Sequence, residues 1–121
     1  MPDRATRTAL VAGATGLIGG HLVRRLLSHA DYARVHVLTR HALSISDPKI
    51  IQHRVDFERL ATSFNEPADD TFCCLGTTLR QAGSREAFRR VDHDYPLALA
   101  NLARLAGARV FLMVSALGAD A

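Results

Sequence analysis

Three glycines spaced three apart, Gly13, Gly16 and Gly19, carry the most explicit chemistry in this 121-residue chain. They follow a short apolar run, Thr8 to Ala12. They open a segment, Leu17 to His29, whose Leu22, Val23, Leu26 and Leu27 fall on one helical face. Glycines at a strand-to-helix turn form a cradle for a pyrophosphate. Gly13 lets the chain turn sharply off the strand. Gly16 admits a phosphate to the backbone, where any Cβ would collide. Gly19 lets the helix pack close to the strand. The free N–H groups of the helix start, at Leu17 and Ile18, then face the anion, and the helix dipole favours it. Thr15 adds a hydroxyl donor.

A second set of candidates ends the next apolar run, Arg34 to Thr39, with Arg40 just beyond. In a dinucleotide-binding fold an acidic residue here binds the ribose 2′-hydroxyl of NAD. Thr39 and Arg40 instead offer a hydroxyl and a guanidinium, which suit a 2′-phosphate. The reading is NADP, with NAD the lesser alternative. A third set, Leu75, Gly76 and Thr77, follows the run Thr71 to Leu75. Ligands in open α/β sheets bind outside such carboxyl ends. Gly76 permits close approach of a flat adenine or a ribose, and Thr77 can donate to a phosphate or ribose oxygen.

These positions converge only if the strands lie parallel. Short apolar runs alternate with amphipathic segments, the pattern of a βαβ array. Strands are predicted at Thr8 to Ala12, Arg34 to Thr39, Ile50 to Val55, Thr71 to Leu75 and Arg109 to Val114. Helices are predicted from Gly16 to His29, from Phe57 to Thr62 and from a Ser84 cap to Arg90. A long one begins near Pro96 and ends at Gly107. The fold class is α/β: a Rossmann-type doubly wound parallel sheet in strand order 3-2-1-4-5, truncated after strand 5. Residues 1–121 form a single dinucleotide-binding domain. Strand 5 is then an apolar unpaired edge, which invites a homo-oligomer through edge pairing.

The bulk properties exclude several other classes. Hydrophobic residues make up 48% and charged residues 22%, the balance of a soluble globular domain. No apolar run approaches the roughly 20 residues that span a bilayer, so no membrane partner is expected. The polar segment from Met1 to Arg7 has no apolar leader core, and the expected compartment is the cytoplasm. The net charge of +3 rests on scattered arginines with a single lysine, Lys49. They form no basic face with interleaved aromatics, so nucleic acid is not expected as a partner. A modest positive field does suit an anionic dinucleotide. Cys73 and Cys74 are adjacent in an apolar run and read as buried free thiols. No spaced Cys or His pair accompanies them, and no metal site is expected.

The run Cys74-Leu75-Gly76-Thr77-Thr78, the run Val91-Asp92-His93-Asp94-Tyr95, and the run Val114-Ser115-Ala116-Leu117-Gly118-Ala119-Asp120 complete the pattern. Together with the G-x-x-G-x-x-G turn, the chain resembles the short-chain dehydrogenase/reductase superfamily. The likeness is to its atypical and extended branch, the NmrA-like group around the Tat-interacting tumour-suppressor oxidoreductase. The resemblance covers nearly the whole chain and implies an NADP-dependent oxidoreductase. It implies that Arg40 stands where related reductases carry an arginine, and that Asp56, beside Phe57, accepts a hydrogen bond from the adenine amino group. From the residues alone Asp56 also reads as the N-cap of the short helix after it, and the two roles are compatible. The resemblance further implies that Ser115 hydrogen-bonds a substrate carbonyl.

In that superfamily a Tyr-x-x-x-Lys pair completes the chemistry, because a phenol is a poor base at neutral pH without a nearby cation. The pair is absent here: Tyr32 is followed four residues on by His36, and Tyr95 by Leu99. The chain therefore resembles the N-terminal cofactor half of such an enzyme. Three functions stand: the cofactor part of an NADP-dependent oxidoreductase acting on an unidentified small molecule, a non-catalytic NADP-binding sensor or scaffold, and a regulator-like interaction protein.

Overall fold

A computed structural model describes residues 7–75 and 83–114. Five strands, β1 (Arg7–Ala12), β2 (Tyr32–Thr39), β3 (Ile50–Arg54), β4 (Asp70–Cys73) and β5 (Val110–Met113), form one parallel sheet. Their order is β3-β2-β1-β4-β5, as the βαβ pattern requires. Val11 of β1 stands between Val37 of β2 and Phe72 of β4, so the glycine turn leaves from the middle of the sheet.

Alternation along β1 divides the core. Ala9 and Val11 pack with Val35 and Val37 of β2 against Val23 and Leu26 of α1 (Leu17–Ser28). Leu10 and Ala12 pack with Leu38 on the opposite face. There they meet Leu60 and Phe64, from a 3₁₀ helix (Phe57–Thr62) and the loop after it. They also meet Leu99 and Leu102 of α3 (Tyr95–Leu105). A central parallel strand covered on both faces must be apolar throughout, which is why Leu10 to Ala12 show no solvent exposure.

Element ends differ from the sequence reading by a few residues, for local reasons. β2 starts at Tyr32 because that ring is buried and its hydroxyl donates to Asp70 Oδ2 at 2.7 Å. β4 stops at Cys73. One further ladder bond, from Cys74 N–H to the Ala12 carbonyl at 2.8 Å, follows as the chain leaves the sheet. α2 (Arg85–Arg89) starts at Ser84, whose hydroxyl accepts from Ala87 N–H. It runs through a π-helical turn (Arg90–Asp94), in which Tyr95 N–H bonds to the Arg90 carbonyl, into α3, with Pro96 at the junction. Gly107, at φ +79°, ends α3. β5 lies at the sheet edge with Val110, Leu112, Met113 and Val114 exposed.

Candidate functional site

The glycine turn lies between β1 and α1. Gly13 has φ +89°, and a Cβ there would sit 2.5 Å from the Cys74 carbonyl carbon and oxygen. Gly19 is buried against the same turn; its Cβ would fall 2.0 Å from the Gly13 carbonyl oxygen. Both glycines are therefore demanded by the fold. Gly16 differs: its φ is −76°, and a Cβ would meet only the Gly13 oxygen, at 3.7 Å. Among the described residues, nothing forbids a side chain at Gly16. Gly16 caps α1 without a side-chain hydrogen bond, and no acidic residue lies in the first turn. The first helical bond runs from Gly20 N–H to the Gly16 carbonyl at 2.8 Å, so the N–H groups of Leu17 and Ile18 stand ahead of it without helical partners.

A cavity of about 570 Å³ opens beside this turn, at the carboxyl ends of the strands. Gly13, Ala14, Thr15 and Gly16 form one wall. Leu38 to His41, at the end of β2, form another. Phe57 and Glu58, Cys74 and Leu75, and Ala87, Arg90, Val91 and Tyr95 close the rest. Arg40 is exposed, forms no ion pair among the described residues, and holds its guanidinium 5.9 Å from the Phe57 ring centroid. Such a contact orients a cation at a cavity rim without consuming its charge. Glu58 is the one carboxylate in the described lining. It accepts a hydrogen bond from the Tyr95 hydroxyl and lies 3.9 Å from Arg90. Burial, followed by that bond to Glu58, pushes the Tyr95 phenol above its usual range. Burial also raises Cys74, which keeps its thiol protonated and unreactive.

Of the residues singled out from sequence, Gly13, Thr15, Gly16, Thr39, Arg40, Phe57 and Leu75 line this cavity. Gly19 supports the turn from behind. Leu17 and Ile18 point their side chains into solvent, 80% and 57% exposed, and reach an anion only through their N–H groups. The Thr39 hydroxyl is committed to its own turn: it donates to the His41 carbonyl at 2.6 Å and accepts from His41 N–H. It therefore shapes the loop, and among the described residues of the cavity rim Arg40 supplies the cation at the end of β2. Asp56 is outside the cavity lining and caps the 3₁₀ helix, accepting from Glu58 N–H at 3.0 Å. Gly76, Thr77 and Ser115 lie outside the described residues. Glu58 and Arg90 enter the cavity unannounced by any motif, and Tyr95, which closes the Val91-Asp92-His93-Asp94-Tyr95 run, was assigned no role from sequence. Only the packing of α3 on the 3₁₀ helix brings them there.

Residues 9–119 match the NAD dependent epimerase/dehydratase family. The chain is 37% identical over 120 residues to Protein HTATIP2 of Rattus norvegicus, covering 94% of this chain and 49% of that protein. It is 35% identical over 114 residues to the mitochondrial Protein FMP52 of Eremothecium gossypii, covering 93% and 50%. The chain thus spans about half the length of the curated relatives it matches. Among solved structures, epimerase Mth375 of Methanothermobacter thermautotrophicus superposes with a TM-score of 0.76 at 22% identity. The match covers 93% of this chain and 36% of that one. MoeE5, in complex with UDP-glucuronic acid and NAD, superposes at 0.73 with 21% identity, covering 90% and 36%. These likenesses carry the fold. No described helix is long and apolar enough to cross a membrane.

Proposed function

The chain belongs to the NAD dependent epimerase/dehydratase family, and from that premise we propose that it holds a nicotinamide dinucleotide, NADP in preference to NAD, as the cofactor-binding part of an oxidoreductase. Gly16 carries the reading. Among the described residues its missing side chain serves no internal packing, and it faces the cavity beside helix N–H groups that have no helical partner. A backbone left bare where no described neighbour requires it fits a close-packed phosphate. When bound, the nicotinamide supplies hydride chemistry.

The chain's own residues then divide the binding. The turn from Gly13 to Gly16 and the start of α1 take the pyrophosphate. Arg40 takes the 2′-phosphate, its guanidinium steadied over Phe57. Glu58 and Tyr95 line the same cavity, and Leu75 leads into the Gly76-Thr77 segment, to which we assign contacts with the ribose or adenine. Ser115 is the proposed catalytic contact to a small-molecule carbonyl, and the cytoplasm is the proposed compartment. Fractionation decides between that compartment and the mitochondrion named for the fungal relatives.

Calorimetric titration with NADPH and NADH tests the cofactor choice. Losing a charge-assisted contact costs about 1.5–3 kcal/mol, so Arg40→Ala weakens NADPH roughly ten- to a hundredfold and leaves NADH nearly unchanged. Equal binding of both nucleotides by the unmodified chain, unaltered in the variant, defeats the 2′-phosphate reading. Absence of binding to either defeats the site.

A second reading, binding without turnover, is favoured by the state of the two tyrosines. Tyr32 is buried and hydrogen-bonded to Asp70, and Tyr95 is committed to Glu58 with its phenol pushed upward. Neither is prepared to exchange a proton with a substrate. Hydride transfer by this chain in the presence of NADPH and a panel of small carbonyl compounds decides against this second reading.

A further inference from the structure

The face of the sheet away from α1 holds a polar cluster outside the cavity lining. His36 of β2 is buried to 1% exposure, and its Nδ1 lies 2.9 Å from Nε2 of His53 on β3. Parallel pairing sets His36 opposite Ile51 and Leu38 opposite His53, so the two imidazoles meet on one diagonal of one face. The Phe64 ring braces both edge-on, with centroids 5.0 and 5.2 Å away. Glu66, in the loop between the 3₁₀ helix and β4, brings its Oε2 to 3.9 Å from His53 Nε2. One donor atom from each of the three residues lies within 4.8 Å of the others.

We propose that His36, His53 and Glu66 form a divalent transition-metal site, suited to zinc, which ties β2 and β3 to the loop entering β4. Two imidazole nitrogens and a carboxylate oxygen are a known zinc donor set with one position left for water. Zinc bonds of about 2.0–2.2 Å place tetrahedral donors roughly 3.3 Å apart. The two histidines need to separate by only a few tenths of an ångström. Glu66, its side chain 46% exposed, has the freedom to swing inward. The hydrogen now shared between the imidazoles moves to the outer nitrogen of its own ring, and each ring ligates as the neutral base.

Titration of the full chain with Co²⁺ alone, then Zn²⁺ alone, tests the site. Stoichiometric Co²⁺ gives the intense visible bands of low coordination, and Zn²⁺ displaces it. Affinity for both falls at least about tenfold in His53→Gln and in Glu66→Gln, the minimum that even outer-shell substitutions cost at metal sites. His29→Gln removes a surface histidine beside Asp31 and leaves affinity unchanged. In the unmodified chain, Zn²⁺ shifts the imidazole NMR signals of His36 and His53, a readout that needs no variant to fold. A Co²⁺ spectrum that stays that of the free aquo ion overturns the proposal. So does Zn²⁺ affinity equal in His53→Gln and wild type, or shifts confined to His21, His29, His41 and His93.

Discussion

Gly16 and Gly19 are three residues apart in one motif, yet the structure assigns them opposite reasons for being glycine. Gly19→Ala places a methyl 2.0 Å from the Gly13 carbonyl oxygen, 2.8 Å from its carbon and 3.1 Å from Ala14 Cα. Every one of these atoms is backbone, and Gly13 is already held at φ +89° against Cys74. No side chain can rotate away, so α1 and the turn must separate. Overpacking costs typically about 1–3 kcal/mol, and a backbone collision belongs at the upper end. The helical preference of alanine over glycine returns about 1 kcal/mol. A net loss of about 2 kcal/mol follows, which with a urea dependence of about 1–3 kcal/mol per molar moves the unfolding midpoint down by about 1 M. Gly16→Ala has its nearest contact at 3.7 Å and an unstrained φ. Its only stability cost is a poorer cap, under about 1 kcal/mol. The same methyl occupies the phosphate's place in the proposed cradle, and NADPH affinity drops more than about tenfold, or 1.4 kcal/mol. The chain has no tryptophan, so urea melts are followed by far-ultraviolet circular dichroism, with calorimetry for the nucleotide. A Gly19→Ala midpoint equal to wild type, or a Gly16→Ala midpoint that falls as far as that of Gly19→Ala, refutes the division of roles.

Two further predictions concern parts of the molecule away from the cavity. Tyr32 is buried and bonded to Asp70, and burial first, then that bond, raises its phenol from 10.0 to about 12. An unfolded chain gives up this proton near pH 10 while the native fold retains it, so unfolding releases a proton between pH 10 and about 12 and stability declines across that window. Tyr32→Phe costs about 1.5–3 kcal/mol at neutral pH by leaving the Asp70 carboxyl without its donor. The gap between wild type and variant in urea midpoint narrows as pH climbs through the window; a gap constant to pH 12 refutes the assignment. At the sheet edge, Leu112 is 54% exposed on β5 beside Val110 and Val114. Light scattering is expected to show concentration-dependent self-association that Leu112→Lys suppresses, and a wild type that stays monomeric at high concentration counts against edge pairing.

The fold was legible because its causes are local. β1, α1 and the turn between them are written in consecutive residues, and the apolar runs at Val35 to Leu38 and Thr71 to Cys73 announce strands buried on both faces. With the turn glycines fixing a crossover, the order β3-β2-β1-β4-β5 follows. The candidate site was legible only where one segment supplies it. Gly13, Thr15, Gly16, Thr39 and Arg40 were singled out because strand ends are where such sites form, and all five line the cavity. Glu58, Arg90 and Tyr95 were missed because their nearness depends on how α3 lies on the 3₁₀ helix. Thr39 shows a subtler limit: residue type gave the hydroxyl but not its partner, and a hydroxyl bonded to the His41 carbonyl is no longer a free donor.

The same limit explains why the proposed metal-ligand set is not legible in the sequence. Histidines are recognised as ligands in sequence by short spacings, two to five residues along a helix or loop. His36 and His53 are seventeen residues apart, and an intervening loop separates their strands. Only parallel pairing, with His53 opposite Leu38, brings the second ring to the diagonal of the first. The consequence reaches the cavity. β3 runs from Ile50 to Arg54 straight into Asp56 and Phe57, and Phe57 is both a cavity wall and the ring beneath Arg40. An ion holding His53 to His36 and Glu66 therefore fixes the strand that positions the proposed 2′-phosphate contact. The glycine turn, on the other side of β2, is independent of it. If both assignments hold, Zn²⁺ changes the preference for NADPH over NADH through Arg40 while leaving the contribution of Gly16 untouched. A Zn²⁺ effect of equal size on both nucleotides would instead mean that the ion stabilises the sheet as a whole.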